Sequence, residues 1–309
     1  MERRKLIKQG KGGYTIYLPK KWIDKKGLKE GDEIKIYETN TSLVINSQIK
    51  EKKDITIKIS QYNENDIKHL MTFSYRNGFD KIILKGEISK YHHKIKEYNS
   101  NLLLGFEITK IEANQIILEN ISEPTEQKYD ILLRRIFFII KDNLNTLKED
   151  YKNNNFVNTN NIQDSKNQVD KFLQFCRRIL NKEKDIKNPV TNWELLSNLM
   201  KIEHSIFYLY QYISNNKNIK SKKKIENLFE TVIEIFDTLY DAYYKRNLKL
   251  IHKLLDYRKT FIFDKCIKEL ELSNGIENII IADIKEISRT IQLSLSPILS
   301  EIIQKNIDL

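Results

Sequence analysis

Cysteine and long apolar runs are scarce in this sequence of 309 residues. The longest apolar candidate, Ile136 to Ile140, falls far short of the roughly 20 residues that a helix needs to cross a bilayer. It therefore predicts a packed helix and no membrane insertion. The basic start, Met1 to Lys11, lacks the apolar core of a secretory signal. Cys176 and Cys266, the only cysteines, lie in helical patterns and predict buried, reduced thiols in a cytoplasmic protein.

Catalytic motifs are also missing. The sequence contains no Ser or Cys nucleophile motif, no P-loop and no GxGxxG. Its histidines lack metal-ligand spacing with a matching carboxylate, and we expect them at the surface. They are His69, His92, His93, His204 and His252. These absences predict a protein that is not an enzyme and carries no cofactor.

Basic residues concentrate near the N-terminus. The net charge of the chain is +11, and residues 1–50 carry twelve Lys or Arg against six Asp or Glu. No acidic residue occurs between Arg3 and Ile23. Basic side chains of this kind hold the phosphates of nucleic acids, although a solvated face of a Lys-rich protein is the alternative. The candidate DNA-binding residues are Arg3, Arg4, Lys5, Lys8, Lys11, Lys20 and Lys21.

Residues 1–47 have the pattern of short strands joined by tight turns. A strand from Lys5 to Gln9 precedes a glycine turn, and the alternation of Tyr14 and Ile16 predicts a second strand. Pro19 opens a short helix that Gly27 ends, and two further strands follow. So small a module cannot bury much core alone. We therefore expect a homodimer in which a partner copy completes the sheet.

Residues 54–122 mix strands and helices in the order β-α-β-α-β-β. The segment from Lys81 to Lys85 is typical of a buried strand, and Asn63 or Asn65 can cap the first helix. The pattern predicts a small α/β connector domain.

Residues 125–309 are helical throughout and predict a pair of three-helix bundles. The third helix is marked by Pro189 and by a capping box from Thr191 to Glu194. The fifth is expected to run from Leu248 to Leu272, and Pro297 should kink or break the last one. The whole chain is thus predicted to be a multidomain α+β protein with domains 1–47, 54–122 and 125–309.

Two acidic residues adjoin the apolar stripes of the predicted helices. Asp283 lies between Ile280 and Ile287, so it is expected to face the bundle and to need a partner or a metal. Glu203 flanks its own stripe in a similar way. The alternative for both is a partly exposed carboxylate paired with a nearby Lys.

The first 45 residues resemble a known family. The string RRKLIKQGKGGYTIYLPKKWIDKKGLKEGDEIKIYETNTSLVI is similar to the AbrB/MazE/SpoVT swapped-hairpin family in its basic first strand, glycine turn, LPKKW step and GLKEGDEIKI. The resemblance implies an intertwined dimer that binds double-stranded DNA through its first strands and turn. Some relatives serve in antitoxins or are purely structural.

The remainder resembles the PhoU helical domain. The cues are YRNGFDKIILKG, GFEITKIEANQIILENI, LLRRIFFIIKDNL, DSKNQVDKFLQFCRRIL and NIIIADIKEIS. Together with the N-terminal module they resemble archaeal phosphate-uptake regulators. The resemblance implies a transcriptional regulator linked to phosphate uptake, with a phosphate ABC transporter ATPase as a partner. A protein–protein regulator whose hairpin module only dimerises is the alternative.

PhoU-like proteins often hold metal clusters through a Glu-x-x-x-Asp motif, which this chain lacks. Ile279 stands where a Glu is expected before Asp283. Met200 and His204 replace a Glu and an Asp in the first bundle. The resemblance therefore implies no metal cluster and leaves Asp283 as the one candidate ligand. Without a metal, Asp283 is expected to pair with a Lys or Arg of a neighbouring helix.

Overall fold

The structure is a computed structural model that describes residues 3–38, 42–47, 52–122, 125–183, 186, 188–216 and 222–307. The chain divides into two compact units, Met1–Lys52 (unit 1) and Lys53–Leu309 (unit 2). Strand hairpins precede a mostly helical region, so the predicted multidomain α+β class is confirmed. The three-way domain division stays a prediction, since residues 54–122 and the helices lie together in unit 2.

Unit 1 contains two antiparallel hairpins and one short helix. Its elements are β1 (Ile7–Gln9), β2 (Gly13–Thr15), α1 (Lys20–Lys26), β3 (Ile34–Glu38) and β4 (Leu43–Ser47). β1 pairs with β2, and β3 pairs with β4. Gly27 has a φ of 63° and ends α1 in the left-handed conformation, as predicted. The first two strands are shorter than their sequence patterns indicated.

Unit 2 begins with a two-layer α/β segment. Its elements are β5 (Asp54–Lys58), α2 (Glu64–Arg76), β6 (Lys81–Lys85), α3 (Ile88–Leu102), β7 (Phe106–Glu112) and β8 (Gln115–Asn120). The sheet order is β5-β6-β8-β7, with only β5 and β6 parallel. Asn63 caps α2 in a reciprocal pair with Asp66. The predicted order of strands and helices is confirmed.

The rest of unit 2 is helical. Its elements are α4 (Glu126–Asn153), α5 (Thr159–Lys182), α6 (Pro189–Ser214), α7 (Lys223–Lys245), α8 (Leu248–Tyr257), a π-helical segment (Arg258–Lys265), α9 (Cys266–Glu271), α10 (Ile276–Leu293) and α11 (Leu295–Ile307). Helices α4, α5 and α6 pack together, and α7 packs against α8 and α10. The two groups also contact each other, because α4 touches α7 and α6 touches α10.

Three local predictions about the helices meet different outcomes. The last predicted helix breaks at Ser294, three residues before Pro297, which agrees with the kink or break expected from that proline. The predicted single helix from Leu248 to Leu272 is wrong, because a π-helical segment interrupts it. The Thr191–Glu194 capping box is also wrong. Because Pro189 opens α6, Thr191 lies in its first turn and its hydroxyl donates to the carbonyl of Asn188.

A buried arginine joins the α/β segment to the helices. Arg178 of α5 donates to the carbonyls of Tyr75 (2.8 Å) and Phe79 (2.7 Å) and to Asp80 Oδ1 (2.8 Å). Its guanidinium also lies over the rings of Tyr75 and Phe106. Asp80 receives a second cation from Lys182 and accepts the backbone N–H of Lys53. The charge of Arg178 is therefore matched by a carboxylate, and its two Nη groups donate to that carboxylate and to backbone carbonyls.

Candidate nucleic-acid interface

All seven candidate DNA-binding residues are solvent-exposed in unit 1. Arg3, Arg4 and Lys5 precede β1, and Lys8 lies within that strand. Lys11 occupies the turn between β1 and β2, whereas Lys20 and Lys21 begin α1. The structure thus places these residues on one hairpin and the first turn of one helix. Their contact with DNA stays a prediction.

The geometry of the first hairpin fixes where its basic side chains can point. Lys8 lies directly opposite Tyr14, and Gln9 lies opposite Gly13. Because successive strand side chains alternate between faces, Lys8 and Tyr14 share one face while Gln9 faces the other way. The Thr15 hydroxyl donates to Gln9 Oε1 at 2.6 Å on that second face. Gly10, with a φ of 65°, lets the turn carrying Lys11 close tightly.

The start of α1 holds the other two exposed cations. The backbone N–H groups of Trp22 and Ile23 both donate to the carbonyl of Pro19, which fixes the first turn. That turn contains Lys20 and Lys21 and no acidic residue. Positive side chains at a helix N-terminus are unfavourable, because the helix dipole already places positive charge there. A nearby anion would relieve this repulsion.

Unit 1 exposes large hydrophobic side chains instead of burying them. Ser47 is the one buried residue among those that the structure describes in this unit. Eight large apolar side chains are between 43% and 69% exposed: Leu6, Ile7, Tyr14, Ile16, Tyr17, Ile36, Leu43 and Val44. Apolar surface of this extent on a small unit marks an interface.

Four residues stand at the positions of the Glu-x-x-x-Asp metal motif: Met200, His204, Ile279 and Asp283. No group of three or more His, Cys, Asp or Glu that could hold a metal ion occurs among the residues that the structure describes. His204 Nε2 lies 2.8 Å from Asp170 Oδ1, so this ring is engaged by a carboxylate. Ile279 is partly exposed and contributes no ligand atom.

Asp283 is half-buried, and its predicted cation partner is absent. Within the described ranges it forms no ion pair with a Lys or Arg, which corrects the expectation from the sequence. Burial, followed by the charge of Glu286, raises the pKa of its carboxyl. Asp283 is thus a partly solvated carboxylate, which agrees with the flanking alternative in its exposure but not in its Lys partner.

Glu203 is completely buried among α4, α5 and α6. The alternative of a partly exposed carboxylate is therefore wrong for this residue. Asn143 of α4 donates to Glu203 Oε1 at 2.6 Å, and Oε2 has no hydrogen-bond partner among the described residues. Desolvation raises the pKa of Glu203 to about 8. The residue is therefore a neutral acid at pH 7. In the sequence, only the position of Glu203 beside the apolar stripe of its helix indicated that it could be buried.

The thiols and imidazoles follow the sequence predictions in part. Cys176 and Cys266 are buried and unbridged, as expected, and burial raises the pKa of Cys266 to about 11. His69, His93 and His252 are exposed. The surface prediction was wrong for the two other histidines, which are half-buried: His92 and His204.

Comparison with known proteins adds one finding at the N-terminus. Residues 7–56 match the family model described as "Antidote-toxin recognition MazE, bacterial antitoxin". The match covers the hairpins and α1 of unit 1 and reaches β5, so it supports the resemblance seen in the first 45 residues. This family consists of antitoxins and not of enzymes. The match concerns residues 7–56 and says nothing about the rest of the chain. No curated protein and no solved structure matches the chain.

The structure also bears on the membrane prediction. Among the described residues, no helix is both long and apolar enough to cross a bilayer.

Proposed function

We propose that this chain is a DNA-binding regulatory protein that acts as a homodimer through unit 1. The observation that carries the proposal is the combination in unit 1 of an exposed basic set with exposed apolar side chains and almost no buried residue. The family match to residues 7–56 supports the same assignment.

The apolar side chains of β3 and β4 support dimerisation. Ile36 lies opposite Ile45 on one face of that hairpin, and Tyr37 lies opposite Val44 on the other. Within the described part of unit 1 both faces lack a packed core. Burying such surface contributes roughly 25 cal/mol per Å². A second copy presents the same strands and is the simplest source of the missing core.

Binding of DNA would use the basic set defined above. Each Lys or Arg that neutralises a phosphate releases a counterion, so affinity depends steeply on salt. A dimer presents each of the seven residues twice. If about half of these make contact, the slope of log K against log salt is expected near about −6.

Unit 2 is proposed to receive a signal or a protein partner. The resemblance of its sequence to the PhoU helical domain supports a link to phosphate uptake and a phosphate transporter ATPase as the partner. The alternative is a regulator of such a transporter in which unit 1 only dimerises, which the exposed apolar residues of unit 1 would also explain. A third candidate is an antitoxin, favoured by the description of the matching family, and it predicts a toxin partner.

The decisive experiment measures binding of the full chain to duplex DNA across a range of salt concentrations. Changing Arg4, Lys5 and Lys8 together to Ala should flatten the slope by several units, because up to six phosphate contacts per dimer disappear. The matched control changes the exposed Lys96, Lys201 and Lys259 of unit 2 to Ala, which removes the same charge. The control should keep the wild-type slope.

Two results would refute the mechanism. An affinity that ignores salt would show that phosphate contacts do not drive binding. An equal loss in both triple variants would show that net charge alone matters. A dimer without measurable DNA affinity would favour the purely dimerising alternative.

A further inference from the structure

Two consecutive arginines of α5 are buried in opposite electrostatic situations. Arg178 has the carboxylate of Asp80 and two backbone carbonyls as acceptors. Arg177, which is 3% exposed, has no carboxylate partner in the described ranges. Burying a guanidinium without a counter-charge costs several kcal/mol. Arg177 is thus buried without the counter-charge that Arg178 has one position further along the helix.

The surroundings of Arg177 are mostly uncharged. Its Nη2 donates to the Ser197 hydroxyl at 3.1 Å, and its Nη1 lies 3.8 Å from the sulfur of Met200. The guanidinium lies 5.4 Å from the ring centroid of Trp193. Its Nε has no hydrogen-bond partner among the described residues. Only weak acceptors therefore face this cation, so part of its donor capacity is unused.

A second arginine lies beside the same helix, because the backbone carbonyl of Arg76 accepts a hydrogen bond from Asn181 Nδ2 of α5 at 2.6 Å. Burial, followed by the charge of Arg76, lowers the pKa of Arg177 to about 10. Arg76, at the end of α2, is partly exposed and lies 4.2 Å from the ring centroid of Phe73. Within the described residues Arg76 also has no carboxylate partner. Arg76 is thus the more accessible of the two arginines.

The nearest acid in this part of the structure is already engaged. The charge of Asp170 acts on Arg177 in the favourable direction. Its two carboxylate oxygens, however, contact His204 Nε2 and Lys166 Nζ, both at 2.8 Å. These contacts lower the pKa of Asp170 against the opposing effect of burial. Within the described residues, the ion pairs of Asp170 are thus with Lys166 and His204 and not with either arginine.

We propose that Arg76 and Arg177 form a binding site for a small oxyanion-bearing ligand between α2, α5 and α6. Guanidinium groups bind phosphate and carboxylate in a two-pronged geometry, and two of them match a doubly charged anion best. The Ser197 hydroxyl adds a neutral donor, and the Trp193 and Phe73 rings supply apolar walls. The ligand would offset the cost of burying Arg177, so its binding should stabilise unit 2.

The test follows thermal unfolding of the full chain while inorganic phosphate is added at constant ionic strength set by chloride. A parallel titration uses malonate, a dicarboxylate. At a tenfold excess over Kd, binding should raise the Tm by about 3–5 °C. A shift by phosphate or by malonate supports the site and identifies the preferred oxyanion. A Tm that neither anion moves would overturn the proposal.

Variants separate this site from general anion effects. Arg76→Gln and Arg177→Met should each abolish the shift, and Arg177→Met should unfold at a higher temperature than the wild type when no ligand is present. The matched control is Arg135→Gln, which removes an exposed arginine of α4 and should keep the full shift. Should Arg177→Met fail to fold, Arg76→Gln alone decides. An equal shift in the control and in Arg76→Gln would refute the site.

Discussion

Units 1 and 2 solve the problem of stability in different ways. Unit 2 buries one continuous apolar core that runs from Ile57 in its sheet to Ile302 in its last helix. Unit 1 buries one small polar residue, Ser47, within its described part and leaves Ile36 and Tyr17 exposed. The difference shows that strands and helices alone do not stabilise a unit unless they also bury apolar side chains in a core. Unit 2 has a core that can stabilise it, whereas in our proposal unit 1 depends on surface supplied by a second copy.

Removing residues 1–52 is expected to have the largest effect on this comparison. The remaining chain should unfold at nearly the wild-type temperature, because its core is intact, but its mass in solution should fall from that of a dimer to that of a monomer. Analytical ultracentrifugation checks the mass and calorimetry checks the unfolding.

A point variant tests the same idea in the full chain. Ile36→Ser should weaken the dimer, whereas Val157→Ser, at an exposed apolar position of unit 2, should leave it unchanged. A truncated chain that remains dimeric would place the interface in unit 2 and contradict the comparison.

Breaking the Arg178–Asp80 pair should produce the next largest effect, confined to unit 2. Asp80→Ala leaves the Arg178 guanidinium buried without a counter-charge, which costs about 3–5 kcal/mol in free energy of unfolding. Chemical denaturation measures this loss. Arg178→Met combined with Asp80→Leu should recover part of it, since the double variant removes the Arg178 charge together with the carboxylate and leaves only Lys182 without its partner. If Asp80→Ala costs no more than the exposed change Arg135→Gln, the pair does not stabilise unit 2.

The smallest of these effects, and the only gain, is expected from Glu203→Gln. The pKa of Glu203 rises from the ordinary value of 4.5 to about 8 in the folded protein, so the folded state holds a proton that the unfolded state releases. Wild-type stability therefore falls as the pH rises from 4.5 to 8 and then levels. Glutamine avoids this loss and should stabilise the protein by roughly 3 kcal/mol at pH 7.

Calorimetry at several pH values checks this prediction. The advantage of Glu203→Gln should vanish near pH 4, where both states of the wild type bind the proton. Glu230→Gln, at an exposed position of α7, serves as the control and should show no pH-dependent gain. A constant difference between Glu203→Gln and wild type at every pH would mean that Glu203 does not titrate as proposed.

Features set by local chemistry could be predicted from the sequence. The strand from Lys81 to Lys85 begins and ends where its apolar pattern indicated, and Asn63 caps α2 as a short polar residue before a helix should. The order of the α/β elements and the break near Pro297 also follow from neighbours in the chain. In each case the determining residues lie within a few positions of one another.

Features set by long-range packing could not be predicted. Nothing near Arg178 indicates that Asp80, 98 positions earlier, neutralises it. Glu203 and its neighbour His204 are both polar, yet only the packing of α4 against α6 determines that Glu203 is the buried one. The exposure of Arg76 and the isolation of Arg177 likewise depend on three helices. Of the candidate interface, the sequence indicated the basic residues, which are exposed in the structure, and their contact with DNA stays a prediction.

The separation of Asp80 and Arg178 along the chain has a consequence for synthesis on the ribosome. A growing chain adds about 5–20 residues per second, so Asp80 is added to the chain roughly 5–20 s before Arg178. During that interval the α/β segment can pair its strands, but its carboxylate lacks the cation that permits burial. The nascent sheet must therefore keep Asp80 hydrated until α5 has been made. A chaperone that holds such intermediates would act in the time between the synthesis of Asp80 and the synthesis of Arg178.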